Sequence, residues 1–188
     1  MKNPYIQNEV LAVVTNILAG ILGVEQDEIT AESKIVDDLG ADSLDYIELN
    51  TNLEKQLNLS LPKKGTLVQA DKISATPELF YSNKSGLTDK GLALLENSLS
   101  GYKQLAVGMT LYDIFNLTTV NNLANLCHGL FNHLPETCPE CGHNAAKISA
   151  ARKVICERCS VALRPVEGNE AEERHVKAYL GIAIPLMA

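Results

Sequence analysis

A serine inside an acidic stretch is the first residue of this chain that could take part in chemistry. Ser43 lies within residues 37–45, whose sequence is DDLGADSLD, at the point where a loop passes into a predicted helix. The free N–H groups and the positive dipole end of a helix start favour a phosphate there. Gly40 allows the tight backbone that must precede such a helix. The stretch therefore predicts that the Ser43 hydroxyl can be esterified to phosphate.

Two other interpretations of the same stretch remain open. Asp42 or Ser43 could act only as the N-cap of the helix, with Asp45 completing a capping box. Ser43 could also be a catalytic nucleophile, but no histidine lies nearby in the sequence and four carboxylates crowd the site. A serine hydrolase is the weakest of the functional hypotheses.

Four cysteines form a second group with chemical potential. Cys138 and Cys141 make one C-x-x-C pair, and 14 residues later Cys156 and Cys159 make another. Two such pairs can surround Zn²⁺ tetrahedrally with four thiolates and leave no open position for a substrate. Together with a hairpin predicted between the pairs, the spacing resembles a zinc ribbon with a structural Zn²⁺.

The same four cysteines are compatible with other chemistry. Two disulfides, a redox C-x-x-C or a ligand set that includes His143 are the alternatives, and disulfides are disfavoured because no secretion signal is recognisable. Basic residues around the pairs permit nucleic-acid binding, but no aromatic residue is available there for base stacking. We expect a packing or protein-binding role instead. Cys127 is predicted to be a small buried residue of a helix.

The elements that must position Ser43 can be read from hydrophobic spacing. Residues 6–22 predict an amphipathic helix, and a loop over residues 25–40 leads to a second helix from Ser43, closed by Pro62. The apolar positions of the first helix are Ile6, Val10, Val14, Ile17, Leu18 and Ile21. Those of the second are Leu44, Ile47, Leu53 and Leu57.

The rest of the chain gives weaker signals. Thr76-Pro77 resembles a helix start, residues 88–99 predict a further helix, and Thr110 is expected to cap a short helix over residues 111–115. Thr118 or Thr119 is expected to cap a helix that runs to about His133. Residues 170–181 predict a short terminal helix.

Charge is unevenly distributed along the chain. Residues 1–62 carry three lysines and eleven acidic residues, whereas residues 63–188 are nearly balanced. An acidic half repels phosphate backbones and favours basic protein partners. Nucleic acid is therefore not expected as a ligand of this half. No stretch is apolar over a length that would span a membrane, and a cytoplasmic location is expected.

The residues around Ser43 also resemble those of a known family. The motif DLGADSLD at residues 38–45, the apolar helix before it and the pattern Glu48, Leu49, Leu53, Glu54 after it are similar to the acyl carrier protein family. The resemblance resumes at residues 117–120, LTTV, which look like the start of the family's last helix. It covers residues 4–62 and about 109–133.

This resemblance implies both a fold and a role. It implies a four-helix bundle in which Ser43 receives 4′-phosphopantetheine from coenzyme A through a phosphopantetheinyl transferase, making a phosphoprotein. Asp42 would help the transferase dock. The acidic face recognised by partner enzymes would consist of Asp45, Glu48 and Glu54. Such partners would load an acyl or aminoacyl thioester and use it in fatty acid or secondary-metabolite biosynthesis. The carrier itself would not be an enzyme.

The expected architecture is therefore mainly α-helical. Residues 1–134 would form the acyl-carrier-like bundle, interrupted by an insert over residues 63–108 with helices of its own. Residues 135–188 would form a small β zinc ribbon and a tail. The competing hypothesis is a zinc-ribbon binding or assembly adaptor without carrier activity, and the two differ in their need for the Ser43 hydroxyl.

Overall fold

The computed structural model describes residues 1–182, which form seven α-helices and two short β-hairpins. In chain order the elements are α1 (Gln7–Leu22), α2 (Ser43–Leu57), α3 (Thr66–Ser74), β1 (Tyr81–Ser82), β2 (Gly86–Leu87), α4 (Asp89–Glu96), α5 (Leu111–Asn116), α6 (Val120–Leu130), β3 (Ala146–Ile148), β4 (Val154–Cys156) and α7 (Gly168–Tyr179). The predicted mainly helical class is confirmed. Residues 183–188, the end of the predicted second domain, lie outside the described part.

Helices α1, α2 and α6 pack around the main hydrophobic core. α1 contacts both of the other helices, because its apolar side chains recur every three or four residues and fall on one face. Fully buried positions come from all three helices: Val10, Val14, Leu18, Leu49, Leu53, Leu57, Val120, Ala124 and Cys127. Ile6, which the sequence placed in the buried stripe, is 64% exposed and precedes the helix as its N-cap. None of the helices formed by residues 1–182 is long and apolar enough to cross a bilayer.

The insert between α2 and α6 has its own small core. It contains α3, the hairpin β1–β2 and α4, and its buried side chains form a cluster separate from the main one. The members of this cluster are Leu67, Ala70, Phe80, Leu87, Leu94, Leu95, Ile114 and Val176. Helix α7 packs on α3, so the C-terminal helix returns along the chain to cover the insert. The expectation that the insert has helices of its own is confirmed.

The predicted helix start at Thr76 is wrong. A helix lies just upstream instead, as α3, and Ala75 adopts a left-handed conformation with φ of 52° that ends it. The backbone N–H of Phe80 is held by the carboxylate of Asp71 at 3.1 Å. The Thr-Pro-Glu sequence therefore forms part of a turn that leads into β1.

The C-terminal hairpin packs on the helical bundle. Strands β3 and β4 pair antiparallel, with Lys147 opposite Ile155. Cys138, Val154 and Leu163 are buried in the same core cluster as the bundle helices. The N-terminal ammonium donates to the Pro135 carbonyl at 2.7 Å, and the Tyr5 hydroxyl donates to the Arg152 carbonyl. The division at residue 134 remains a prediction about chain organisation, and the core is continuous across it.

Helix α7 begins at a close backbone approach that only glycine permits. A Cβ on Gly168 would lie 2.3 Å from the carbonyl oxygen of Ser60 and 2.5 Å from the backbone of Leu61. Gly20, in the exposed part of α1, has nothing within 4 Å of the same position. The two glycines therefore form a matched pair, one required by packing and one not.

We predict opposite effects when the two glycines are changed to alanine. Gly168→Ala should lower the free energy of unfolding by about 1–3 kcal/mol, because two backbone segments must move apart. Gly20→Ala should raise it by about 0.5–1 kcal/mol through better helix propensity. Urea denaturation followed by circular dichroism measures both. An unchanged urea midpoint for Gly168→Ala would contradict the close approach of the start of α7 to the backbone of Ser60 and Leu61.

Candidate functional site

Ser43 occupies the first position of α2, and the helix is capped without using its hydroxyl. Asp42 is the N-cap, and its Oδ1 accepts from the N–H groups of Leu44 at 2.7 Å and Asp45 at 3.0 Å. Asp45 returns the bond, accepting from the Asp42 N–H at 2.9 Å. Ser43 is exposed, and its side chain forms no hydrogen bond within residues 1–182. The capping box and a free serine hydroxyl therefore coexist.

The loop before Ser43 is firmly attached to the bundle. Gly40 has φ of 71°, which favours glycine, and its N–H donates to the Val36 carbonyl at 3.0 Å. The N–H of Ala41 donates to the Ile35 carbonyl at 3.1 Å, and both of these side chains are buried. The N–H of Ile35 in turn donates to the carbonyl of Thr118, just before α6, at 3.0 Å. Ser43 consequently stands on an anchored turn.

The surface beside Ser43 is apolar as well as acidic. Leu44 and Ile47, two of the four apolar positions noted in the sequence of this helix, are 72% and 63% exposed. The core face of α2 consists of Leu49, Leu53 and Leu57. The exposed pair turns the start of α2 into a surface on which a partner protein can bury apolar area.

The three predicted acidic partner residues have different environments. Glu48 is exposed, and its carboxylate forms no hydrogen bond within the described chain. Asp45 is half-buried and engaged in the capping box. Glu54 is half-buried, and its Oε1 accepts from the N–H of Leu61 at 2.8 Å, which ties the loop after α2 to the helix. Of the three, Glu48 is therefore the one whose carboxylate does not hold the helix or a neighbouring loop in place.

The four predicted cysteine ligands converge. Their sulfur atoms all lie within 4.8 Å of one another, and the Cys138–Cys159 and Cys141–Cys156 pairs are each separated by 3.6 Å. A tetrahedron with Zn–S bonds of about 2.3 Å has S–S edges of about 3.8 Å. None of the four is in a disulfide. The donor set and its spacing fit a four-coordinate Zn²⁺.

Each C-x-x-C pair forms a turn that prepares its sulfurs for a cation. The N–H of Gly142 donates to the Cys138 carbonyl at 2.9 Å, and the N–H of Ser160 donates to the Cys156 carbonyl at 3.0 Å. Hydrogen bonds from the backbone N–H groups of Cys159 and Arg158 lower the pKa of the Cys156 thiol. A lowered pKa favours the thiolate, the form that binds metal.

The remaining cysteine and the candidate histidine lie apart from this cluster. Cys127 is fully buried on α6, as predicted, and burial raises the pKa of its thiol to about 12. The His143 ring faces the carboxylate of Glu157 at 3.8 Å. Neither residue belongs to the converging ligand set.

Comparisons with known proteins agree with the geometry at Ser43. Residues 12–76 match the family described as "Phosphopantetheine attachment site". The acyl-carrier resemblance is confirmed. The matching segment contains most of α1 and all of α2 and α3, so the match runs past residue 62 into the insert.

Curated relatives point to the same family. Three proteins named acyl carrier protein, from the Clostridium perfringens strains SM101, ATCC 13124 and 13, are each 54% identical to the chain over 46 residues. Those residues are 24% of this chain and 60% of each relative, so the chain spans about 60% of the length of these proteins. No solved structure matches the chain.

One polar residue near the matching segment was not predicted from the sequence. Glu172 of α7 is 2% exposed, and its Oε1 accepts from the hydroxyl of Thr66 at 2.5 Å. The sequence predicted a helix there but carried no signal that a carboxylate would be buried. Its burial depends on α7 returning to α3, a contact between segments about 100 residues apart.

We predict that the cysteine cluster binds one Zn²⁺ and that its loss affects the bundle. Cys156→Ser should abolish stoichiometric zinc in elemental analysis of the purified protein, whereas Cys127→Ala should retain it. Because Val154 and Cys138 share the main core, chelation should increase hydrogen exchange over residues 138–163 and also around Tyr5. Full zinc in Cys156→Ser would contradict the ligand assignment.

Proposed function

We propose that this chain is an acyl carrier protein that carries a thioester on 4′-phosphopantetheine attached to Ser43. The observation that carries the proposal is the exposed, unbonded hydroxyl of Ser43 at the start of a capped helix, within a segment that matches the phosphopantetheine attachment family. The positive end of the helix dipole favours the phosphodiester. The reaction partners would be a phosphopantetheinyl transferase and enzymes that load and use the thioester.

The electrostatics around Ser43 support the same proposal. An acidic surface attracts basic partner enzymes and increases their association rate, and the effect decreases with salt. Glu48 is exposed one turn beyond the serine, and the exposed Leu44 and Ile47 offer apolar area beside it. Asp42, Asp45 and Glu54 would act mainly by holding α2 and its flanking loops in shape.

The zinc ribbon is proposed to be a structural part of the carrier. Four thiolates leave no open coordination position, so a bound Zn²⁺ would have no catalytic role. Val154, Cys156 and Leu163 are buried in the core shared with the bundle. The metal would therefore stabilise the face of the bundle on which Tyr5 and Phe131 pack, at a ring separation of 4.9 Å.

Loading of Ser43 gives the direct test. We expect the apo protein, incubated with coenzyme A and a broad-specificity phosphopantetheinyl transferase, to gain the mass of one phosphopantetheine. Ser43→Ala should gain none, because the acceptor oxygen is gone. Ser85→Ala, which alters an exposed serine of the insert hairpin, should load like the wild type. An equal amount of phosphopantetheine adduct on Ser43→Ala would contradict the proposal.

The contribution of the acidic surface can be separated from helix capping. Glu48→Lys should slow loading by roughly tenfold at low salt and much less at high salt, because the interaction is screened. Glu28→Lys, which reverses an acidic residue in the turn after α1, serves as the charge-matched control. Equal slowing by both variants would show that only net charge matters, and salt-independent slowing would point to damaged structure.

A further inference from the structure

A cavity of about 380 Å³ lies where the insert meets the bundle and α7. Its apolar walls come from both sides of this junction: Leu67, Val68, Leu95, Leu111, Ile114 and Leu126. Cavities of about 300–1,000 Å³ are typical of sites for small organic groups. The insert therefore builds a space that α1, α2 and α6 would not form by themselves.

One wall of the cavity carries the buried carboxylate of Glu172. Within residues 1–182 the Thr66 hydroxyl is its one side-chain partner, and no lysine, arginine or histidine forms an ion pair with it. His175, one turn further along α7, is hydrogen-bonded to the Asn97 carbonyl instead. Burial raises the pKa of the Glu172 carboxyl above its ordinary value. A carboxylate kept in this position without a cation destabilises the fold.

Helix α5 connects the start of α2 with the cavity. Tyr46, one turn after Ser43, packs its ring against Phe115 of α5 with 4.9 Å between ring centroids. Leu111 and Ile114 of the same helix line the cavity. A six-residue helix is about 9 Å long, and an extended phosphopantetheine is longer than that. The contacts from Tyr46 through Phe115 to Ile114 and Leu111 therefore give a route along α5 from the start of α2 to the cavity.

We propose that the cavity shelters the cargo of the arm, and that this cargo is an acyl group with an amino group whose ammonium pairs with Glu172. The proposal rests on the carrier function proposed above and names its cargo class. The apolar walls would contact the carbon chain, and the carboxylate would accept a charge-assisted hydrogen bond from the ammonium. A purely hydrocarbon cargo would leave the buried carboxylate without a cation.

The polar groups around the cavity are compatible with this cargo. Lys63 and Lys64 line its opening, but both are exposed, so water and salt screen their charges. The hydroxyl of Tyr102 already lies 3.3 Å from that of Thr118. Glu172 is thus the buried charge that distinguishes one cargo from another in this cavity.

The experiment compares two isosteric cargoes on the full-length holo protein. A broad-specificity transferase loads Ser43 from β-alanyl- or butanoyl-coenzyme A, intact mass confirms loading, and the rate of thioester cleavage by hydroxylamine is measured. We expect the β-alanyl thioester to be cleaved roughly tenfold more slowly in the wild type than in Glu172→Gln. The butanoyl thioester should be cleaved at the same rate in both.

The control is Glu173→Gln, which removes the neighbouring carboxylate of α7 that pairs with Lys177 at 2.6 Å outside the cavity. It should leave both rates at the wild-type value. Because each cargo is compared between variants, intrinsic differences in thioester reactivity cancel. If the ratio of the cleavage rate in Glu172→Gln to that in the wild type is the same for the β-alanyl and butanoyl thioesters, the cavity assignment is overturned. Absence of loading at Ser43 would overturn the carrier function instead, so the two failures are distinguishable.

A second measurement does not depend on the folding of Glu172→Gln. In the wild-type protein, backbone amides of Leu95 and Ile114 should exchange more slowly when the arm carries β-alanyl than when it carries butanoyl. Identical exchange with both cargoes would count against an ammonium partner for Glu172.

Discussion

The structure depends on the backbone bonds that join the loop before Ser43 to the start of α6. Lys34 and Thr119 form an antiparallel bridge, and the Val120 N–H donates to the Ser33 carbonyl at 3.0 Å. These bonds connect segments that the insert separates in sequence. They fix both the turn that presents Ser43 and the point at which the chain must return to the bundle. An insert between two fixed ends has little effect on the elements that flank it, because loop-closure entropy grows slowly with length.

The insert and the cysteine hairpin are attached to the small bundle in different ways. The insert places its own cluster against Ile114, and α7 completes that cluster with Val176. The cysteine hairpin has no separate cluster of this kind, because Val154 and Leu163 are buried in the main core. One addition thus builds new buried surface, whereas the other extends surface that already exists.

Local signals allowed much of the fold and of the site to be predicted from sequence. Thr110 and Thr119 cap α5 and α6 through bonds to residues three positions on, so their pattern is visible within a few letters. The cysteine spacing is local in the same sense, and the four sulfurs do converge. The helix at residues 66–74 was missed because a Thr-Pro pair downstream gave a competing local signal, and a turn used that pair instead.

The features that could not be predicted are long-range. Leu44 and Ile47 fit an apolar stripe by spacing, yet the chain offers no partner for that side of α2 and leaves both exposed. Glu172 is polar and would be placed in solvent by any local rule. Its burial follows from the return of α7 to α3, which no sequence window contains.

That return of α7 also determines the order in which the molecule can be completed during synthesis. α1 and α2 leave the ribosome before the insert, α6 follows only after the whole insert, and Gly168 and Val176 are translated later still. Contacts of such high sequence separation slow folding and leave apolar surface uncovered in the nascent chain. The small core of the insert stays open on one side until α7 has been made.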